Sequence, residues 1–178
     1  VGERRVKDIM YPLQTDLTIG VEDSLASAVK ALTGGFSESG TAGVLVVGAG
    51  HKPVGLFTFQ EIFKAISPKT LSPEKHYGGW NISGFVVKPL MWEGLFTRRC
   101  KEEMKSPVYQ WMRDLKEVSI ADDETLMSAA EKFARSGSAV LVVFCRDCPV
   151  GLLSADAVMN EICLLMESLD NDSYKLTS

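Results

Sequence analysis

The chain has 178 residues, of which 46% are hydrophobic and 24% charged, and its formal net charge at pH 7 is −4. That balance belongs to a folded globular protein and not to a disordered or fibrous one, and with no excess of positive charge there is no field to hold a nucleic-acid backbone. No stretch approaches the ~18 consecutive apolar residues of a membrane span, so neither nucleic acid nor a membrane is an expected partner.

Val6-Lys7-Asp8-Ile9-Met10 opens the ordered part as a short lead helix, with Val6, Ile9 and Met10 on one face and Pro12 stopping it. Thr18 to Val21 is a very short extended segment. Asp23 or Ser24 then offers an N-cap to a helix carrying Leu25, Ala28, Val29 and Leu32 on one side, which Gly34-Gly35 is expected to end. Val44-Leu45-Val46-Val47 is aliphatic without alternation, the pattern of a strand buried on both faces. After the turn at Gly48 to Lys52, Val54 to Phe57 reads as the return strand of a hairpin, and a helix runs from Thr58 through Ile62, Phe63 and Ile66 until Pro68.

The second half repeats this order. Val108 to Met112 reads as a lead helix, Val118-Ser119-Ile120 as an extended segment, and Asp123 to Phe133 as a helix. Ala139 to Val143 is the buried strand, Arg146-Asp147-Cys148 the turn, Val150 to Leu153 the return strand, and Ser154 begins the final helix. Pro53-Val54-Gly55-Leu56-Phe57-Thr58 thus returns as Pro149-Val150-Gly151-Leu152-Leu153-Ser154. One copy alone has a sheet with a bare apolar face, and two sheets packed across a pseudo-twofold axis cover each other and leave a cleft between them.

These residues carry a resemblance. The Asp8-Ile9-Met10 lead, the buried Leu45-Val46-Val47 strand and the twice-present Pro-Val-Gly-Leu-x-Thr/Ser strand are similar to the cystathionine-β-synthase (CBS) domain, present as a tandem pair or Bateman module. The resemblance implies an α/β (α+β) fold of two repeats, each β-α-β-β-α behind a short lead helix, packed sheet to sheet. The organisation expected is repeat 1 over 1–67, a structured aromatic-rich insert over 68–106, and repeat 2 over 107–178. Trp80, Phe85, Val86, Val87, Leu90 and Trp92 make the insert too apolar for a solvated linker. Trp92, Leu95, Phe96, Cys100 and Met104 recur at helical spacing, as a packed amphipathic helix or a docking face for a partner.

The resemblance also implies an adenosine-containing regulatory ligand, AMP, ADP, ATP or S-adenosylmethionine, with no required cofactor. In such modules the hydroxyl residue after the return strand meets a phosphate or ribose oxygen, and an Asp three positions later accepts both ribose hydroxyls. Thr58 matches the first position and Glu61 replaces the Asp with a longer carboxylate. In the second copy Ser154 matches, but Ala157 stands at the acid's position and Asp156 one residue early, about 100° away around the helix. Thr18, Ile19 and Val44, and Val118, Ile120 and Val140, would line the two clefts. Helix capping by Thr58 and Ser154 is the plainer reading of those hydroxyls and is compatible with ligand contact. Arg98 and Arg99 are further candidates for a phosphate, against a plain role as solvated helix charges.

Cys100, Cys145, Cys148 and Cys163, with no secretion signal, read as reduced thiols of a cytoplasmic protein. Cys145-Arg146-Asp147-Cys148 is half a zinc knuckle without its other half, and Gly48-Ala49-Gly50 lacks the third glycine and the helix of a dinucleotide fingerprint. With two histidines and no nucleophile or Walker motif, an enzyme is not expected. Two functions remain: a regulatory signal-transduction module, expected as a homodimer acting on an effector protein, or a degenerate pair serving as a structural or protein-interaction domain.

Overall fold

In the computed structural model, which describes residues 3–14, 17–39, 42–67 and 94–175, the two halves of the chain build two four-stranded sheets on one plan. The first half supplies α1 (Val6–Ile9), β1 (Tyr11–Pro12), β2 (Thr18–Gly20), α2 (Leu25–Ser39), β3 (Gly43–Val47), β4 (Pro53–Thr58) and α3 (Phe59–Ile66). Helix α4 (Leu95–Glu103) follows. The second half supplies β5 (Arg113–Asp114), α5 (Leu115–Val118), β6 (Ser119–Ala121), α6 (Leu126–Ser136), β7 (Val140–Cys145), β8 (Cys148–Ser154) and α7 (Ala155–Lys175). The β-α-β-β-α order expected of each repeat is present twice.

Within each repeat a helix crosses between two parallel strands, β2 to β3 and β6 to β7, and a hairpin then adds an antiparallel strand, β4 or β8. The fourth strand of each sheet comes from the other half. β5 pairs with β4, Arg113 opposite Leu56, and β1 pairs with β8, Tyr11 opposite Leu152. A glycine admits each exchanged strand: a Cβ at Gly55 would lie 2.8 Å from the Arg113 carbonyl, and one at Gly151 2.6 Å from the Tyr11 carbonyl.

The central strands are buried on both faces, as their unbroken aliphatic runs require. Val44, Val46 and Phe57 join Leu25, Ala28, Leu32 and Ala65 in a core between the first sheet and its helices. Leu45 and Leu56 point the other way, into a second core with Val140, Leu141, Val142, Val143, Leu152 and Leu153 of the second sheet. That shared core is the sheet-to-sheet contact, and a Cβ at Gly43 would come within 2.9 Å of Val140 Cγ1 across it. The lead segments are exchanged in the cores too, with Val108 buried in the core of the first repeat's helices and Val6 in the shared one.

Several local expectations change. Gly34 and Gly35 do not end α2, which continues to Ser39. Gly35 is there for packing, since a Cβ would overlap Leu17 Cδ2. Between the two candidate caps of α2, Ser24 accepts from the Ser27 amide, while Asp23 receives the Gly20 amide at 2.7 Å. The second lead is a 3₁₀ turn, Val108–Gln110, and Val118 ends α5 instead of starting a strand. Helix α6 begins at Leu126, capped by Thr125, and the β7–β8 turn is only Arg146 and Asp147, with Arg146 at φ 57°. The apolar residues of the insert from Trp80 to Trp92 lie outside the described residues. Among those described, no helix is long and apolar enough to cross a membrane.

The exchanged strands make a sharp contrast between glycines. Gly55→Ala and Gly151→Ala each place a Cβ against a partner carbonyl and should destabilise by about 1–3 kcal/mol in urea unfolding. Gly34→Ala, in the α2 interior with nothing within 4 Å of its Cβ, should stabilise by about 0.5–1 kcal/mol. Neutral behaviour at Gly55 and Gly151 would contradict the strand exchange.

Candidate functional site

Strand β4 runs out at Thr58, whose extended backbone and short hydroxyl suit it to cap α3. Its Oγ1 accepts from the Gln60 amide at 3.2 Å. Glu61, three positions on, closes a capping box: its Oε2 accepts from the Thr58 amide at 2.9 Å and from the Thr58 hydroxyl at 2.5 Å. The local sequence Thr-Phe-Gln-Glu therefore fixes the carboxylate before any tertiary contact does. Glu61 is also fully buried, and Thr58 nearly so.

A buried carboxylate needs a counter-charge. Arg113 supplies it from β5, the strand contributed by the second half, with Nε donating to Glu61 Oε1 at 2.8 Å. The rest of the guanidinium is engaged as well: Nη1 donates to the Ser136 carbonyl at 2.8 Å and Nη2 to Gln60 Oε1 at 2.9 Å. Gln60 Nε2 in turn donates to the Gly137 carbonyl at 3.1 Å. Ser136 and Gly137 form the C-terminal end of α6, where the helix dipole favours a cation. Lys64 Nζ, 3.5 Å from Glu61 Oε1, is largely exposed and adds little. The cluster Thr58, Gln60, Glu61 and Arg113 thus ties the start of α3 to the end of α6, and both Glu61 oxygens already have partners.

The second half has no such pair. Ser154 Oγ accepts from the Ala157 amide at 3.2 Å, so the capping reading of this hydroxyl holds, as it does for Thr58. Asp156 is exposed on the first turn of α7. Tyr11, opposite Leu152, stands where Arg113 stands opposite Leu56, and its hydroxyl accepts from Gln14 Nε2 at 2.8 Å. Arginine and glutamate in one site correspond to tyrosine and alanine in the other.

The remaining predicted residues divide by burial. Ile19 and Val44 lie in the core under the first repeat's helices, and Val118, Ile120 and Val140 in the core between the sheets. Thr18 pairs with Leu45 on β2. Of these, Ile120 borders a shallow hollow of about 330 Å³ at the β6 edge, beside Lys116, Ser119 and Arg146. Arg113, Gln60, Lys116 and Arg146 were not singled out from the sequence. A charged residue in a two-residue strand has no pattern to betray that it pairs across repeats.

Arg99 is structural. Its Nη2 donates to the Ala65 carbonyl at 2.7 Å and its Nη1 lies 2.8 Å from Glu103 Oε1, which closes the C-terminus of α3. Arg98 is exposed. Cys145 and Cys148 face each other across the β7–β8 turn, and a hydrogen bond to Asp122, with that carboxylate's charge, holds the Cys145 thiol above its usual range. Among the described residues no group of three or more His, Cys, Asp or Glu side chains is placed to hold a metal ion.

A family model of the CBS domain matches residues 6–68. No curated protein sequence matches the chain. Among solved structures, the CBS-pair protein CBSX2 from Arabidopsis thaliana is similar with a TM-score of 0.61 and 14% identity, over 93% of this chain and 99% of that one. A structure of CBSX2 in complex with AMP matches with a TM-score of 0.57 and 16% identity, over 93% and 99% of the two chains. The CBS domain of a CBS domain-containing membrane protein from Sphaerobacter thermophilus gives 0.57 and 16%, over 89% and 87%. Residues 6–68 are a CBS domain, and the chain as a whole has the fold of a tandem CBS pair.

Proposed function

We propose that the chain is a regulatory module that senses an adenosine-containing nucleotide in the cleft between its repeats and passes that occupancy to an effector protein. The observation that carries this reading is the Thr58–Glu61–Arg113 cluster, which puts a hydroxyl, a buried carboxylate and an arginine fork together at a helix N-terminus on the seam between the repeats. These are the groups a nucleotide needs: a carboxylate for two ribose hydroxyls, and a hydroxyl, a guanidinium and free helix amides for a phosphate. The complex of CBSX2 with AMP supports the ligand class.

In this reading the ligand replaces internal partners. Ribose hydroxyls take over Glu61 oxygens from Arg113, and the guanidinium turns to the phosphate. Since Arg113 also holds the Ser136 carbonyl and Gln60, its movement reaches the end of α6. Two arrangements of the repeats with different ligand affinity are what coupling to a partner requires. The unit is proposed to work as a cytoplasmic homodimer, divided as repeat 1 over 1–67, an insert over 68–106 and repeat 2 over 107–178, and without catalysis of its own. A second reading, a structural or interaction domain with decayed ligand sites, is favoured by the complete satisfaction of Glu61 and by the lack of a carboxylate at Ala157.

Thermal unfolding against millimolar AMP, ADP, ATP and S-adenosylmethionine separates the two. One of these should raise the midpoint, by the equivalent of about 2.7 kcal/mol at a hundredfold excess over Kd, and Thr58→Ala should abolish the rise. No rise with any of them decides for the interaction domain.

The ion pair is tested separately by a double-mutant cycle in urea. Arg113→Ala and Glu61→Ala should each cost about 3–5 kcal/mol, because each leaves a buried charge or its partner stranded. The double variant should cost clearly less than the sum. Additive losses would mean that the two side chains do not act as a pair.

A further inference from the structure

The β7–β8 turn sets two cysteines against each other. Cys145 ends β7, Cys148 begins β8, and the two are partners in the strand register with only Arg146 and Asp147 between them. Residues directly opposite in an antiparallel pair project to the same face. Where such a pair exchanges backbone hydrogen bonds, as beside a two-residue turn, its Cα atoms lie about 5.5 Å apart, inside the roughly 4.4–6.8 Å that a disulfide spans. Arg146 takes the left-handed conformation, φ 57°, that so short a connection demands. The pseudo-twofold gives the counterparts in repeat 1. Gly151 pairs with Val143 as Gly55 pairs with Val46, so Cys145 stands where Gly48 stands and Cys148 where Lys52 stands, with three residues between instead of two. A third difference meets these two. Asp122 and Val21 are counterparts, since their amides donate to the Phe144 and Val47 carbonyls and their own carbonyls accept from the Lys7 and Tyr109 amides. The Asp122 carboxylate, which repeat 1 lacks, is hydrogen-bonded to the Cys145 thiol.

We propose that Cys145 and Cys148 form a dithiol–disulfide site, closed by exchange with a small-molecule disulfide and held in its reduced state by Asp122. Cys148 is exposed and Cys145 half-buried, which orders the steps. The Cys148 thiolate attacks one sulfur of the incoming disulfide and displaces a thiolate, leaving a mixed disulfide on Cys148. Cys145 then gives up its proton to solvent, and its thiolate attacks the Cys148 sulfur and displaces the second thiolate. Two protein thiols are thus oxidised to one disulfide, and the small disulfide is reduced to two thiols. Asp122 slows the second step. Its hydrogen bond and its charge keep Cys145 protonated, and Arg146 opposes them only in part, so little thiolate is present to close the ring. A ring enclosing two residues gains little from loop closure, so a thiol reductant reopens it readily. Closure draws the Cys145 sulfur away from Asp122, whose carbonyl seats the Lys7 amide of α1, so the redox state acts where the lead helix docks. The site shares no residue with the Thr58–Glu61–Arg113 cluster.

The test uses the full chain carrying Cys163→Ser, a replacement at an exposed position, incubated at pH 7 with oxidised glutathione, quenched with N-ethylmaleimide and digested with trypsin. Cleavage after Arg146 separates the two cysteines unless a disulfide joins them. Mass spectrometry should find the peptides of residues 136–146 and 147–175 linked, and dithiothreitol should part them. With Cys145→Ser added, the reaction should stop at a glutathione mixed disulfide on Cys148. With Asp122→Asn added, the ring should close about threefold faster or more, because removing the carboxylate charge raises the thiolate fraction of Cys145. Three results overturn the proposal. They are glutathione retained on Cys148 of the chain that keeps both cysteines, with no internal disulfide; a disulfide that joins two chains; and closure no faster in Asp122→Asn, which removes Asp122 from the site.

Discussion

The exchange of lead strands is the constraint on which the rest of the structure depends. A β-α-β-β unit leaves the outer edge of its hairpin open, and an open edge invites pairing with any available strand. Here each edge is filled by two residues from the opposite half, Arg113–Asp114 on β4 and Tyr11–Pro12 on β8. Neither repeat therefore has a complete sheet by itself. The glycines of the two Pro-Val-Gly-Leu segments make the exchange possible, because only a residue without a side chain lets a backbone carbonyl come so close.

The same exchange creates the candidate site. Arg113 reaches Glu61 because β5 lies beside β4, and the buried carboxylate has its counter-charge only because a strand from the other repeat brings it. The full burial of Glu61, with Arg113 partly buried beside it, makes the contact consequential, since an ion pair out of water is weak evidence of net stability but is costly to break on one side only. The repeats have diverged at this place. Tyr11, Ser154 and Ala157 occupy the positions of Arg113, Thr58 and Glu61 and retain the cap without the charge, and the nearest carboxylate, Asp156, is exposed one residue earlier.

A second asymmetry lies on the outer surface. Helix α4 sits against the end of α3 through Arg99, with Phe63 and Phe96 still exposed, and between α6 and α7 Met127 and Leu165 are exposed as well. The two differences lie apart, one at the seam between the sheets and one on the outer helices.

The sequence by itself determined the repeat, the order of elements and the two-faced burial of the central strands, because these are written in local patterns: aliphatic runs, proline before a strand, a hydroxyl before a helix. It also determined the helix cap at Thr58, while the structure added that Glu61 is buried and closes a capping box there. It misplaced the end of α2, because a glycine pair that signals a helix stop locally is here used to admit Leu17. Only the tertiary structure decided that Glu61 faces Arg113, that Arg99 serves the end of α3, and that the lead strands cross to the opposite sheets. Those contacts join residues 52 and 34 positions apart and, for the two lead strands, 57 (Leu56 to Arg113) and 141 (Tyr11 to Leu152) apart, and no periodicity within a short segment records which distant strand edge or helix end a charged side chain will meet.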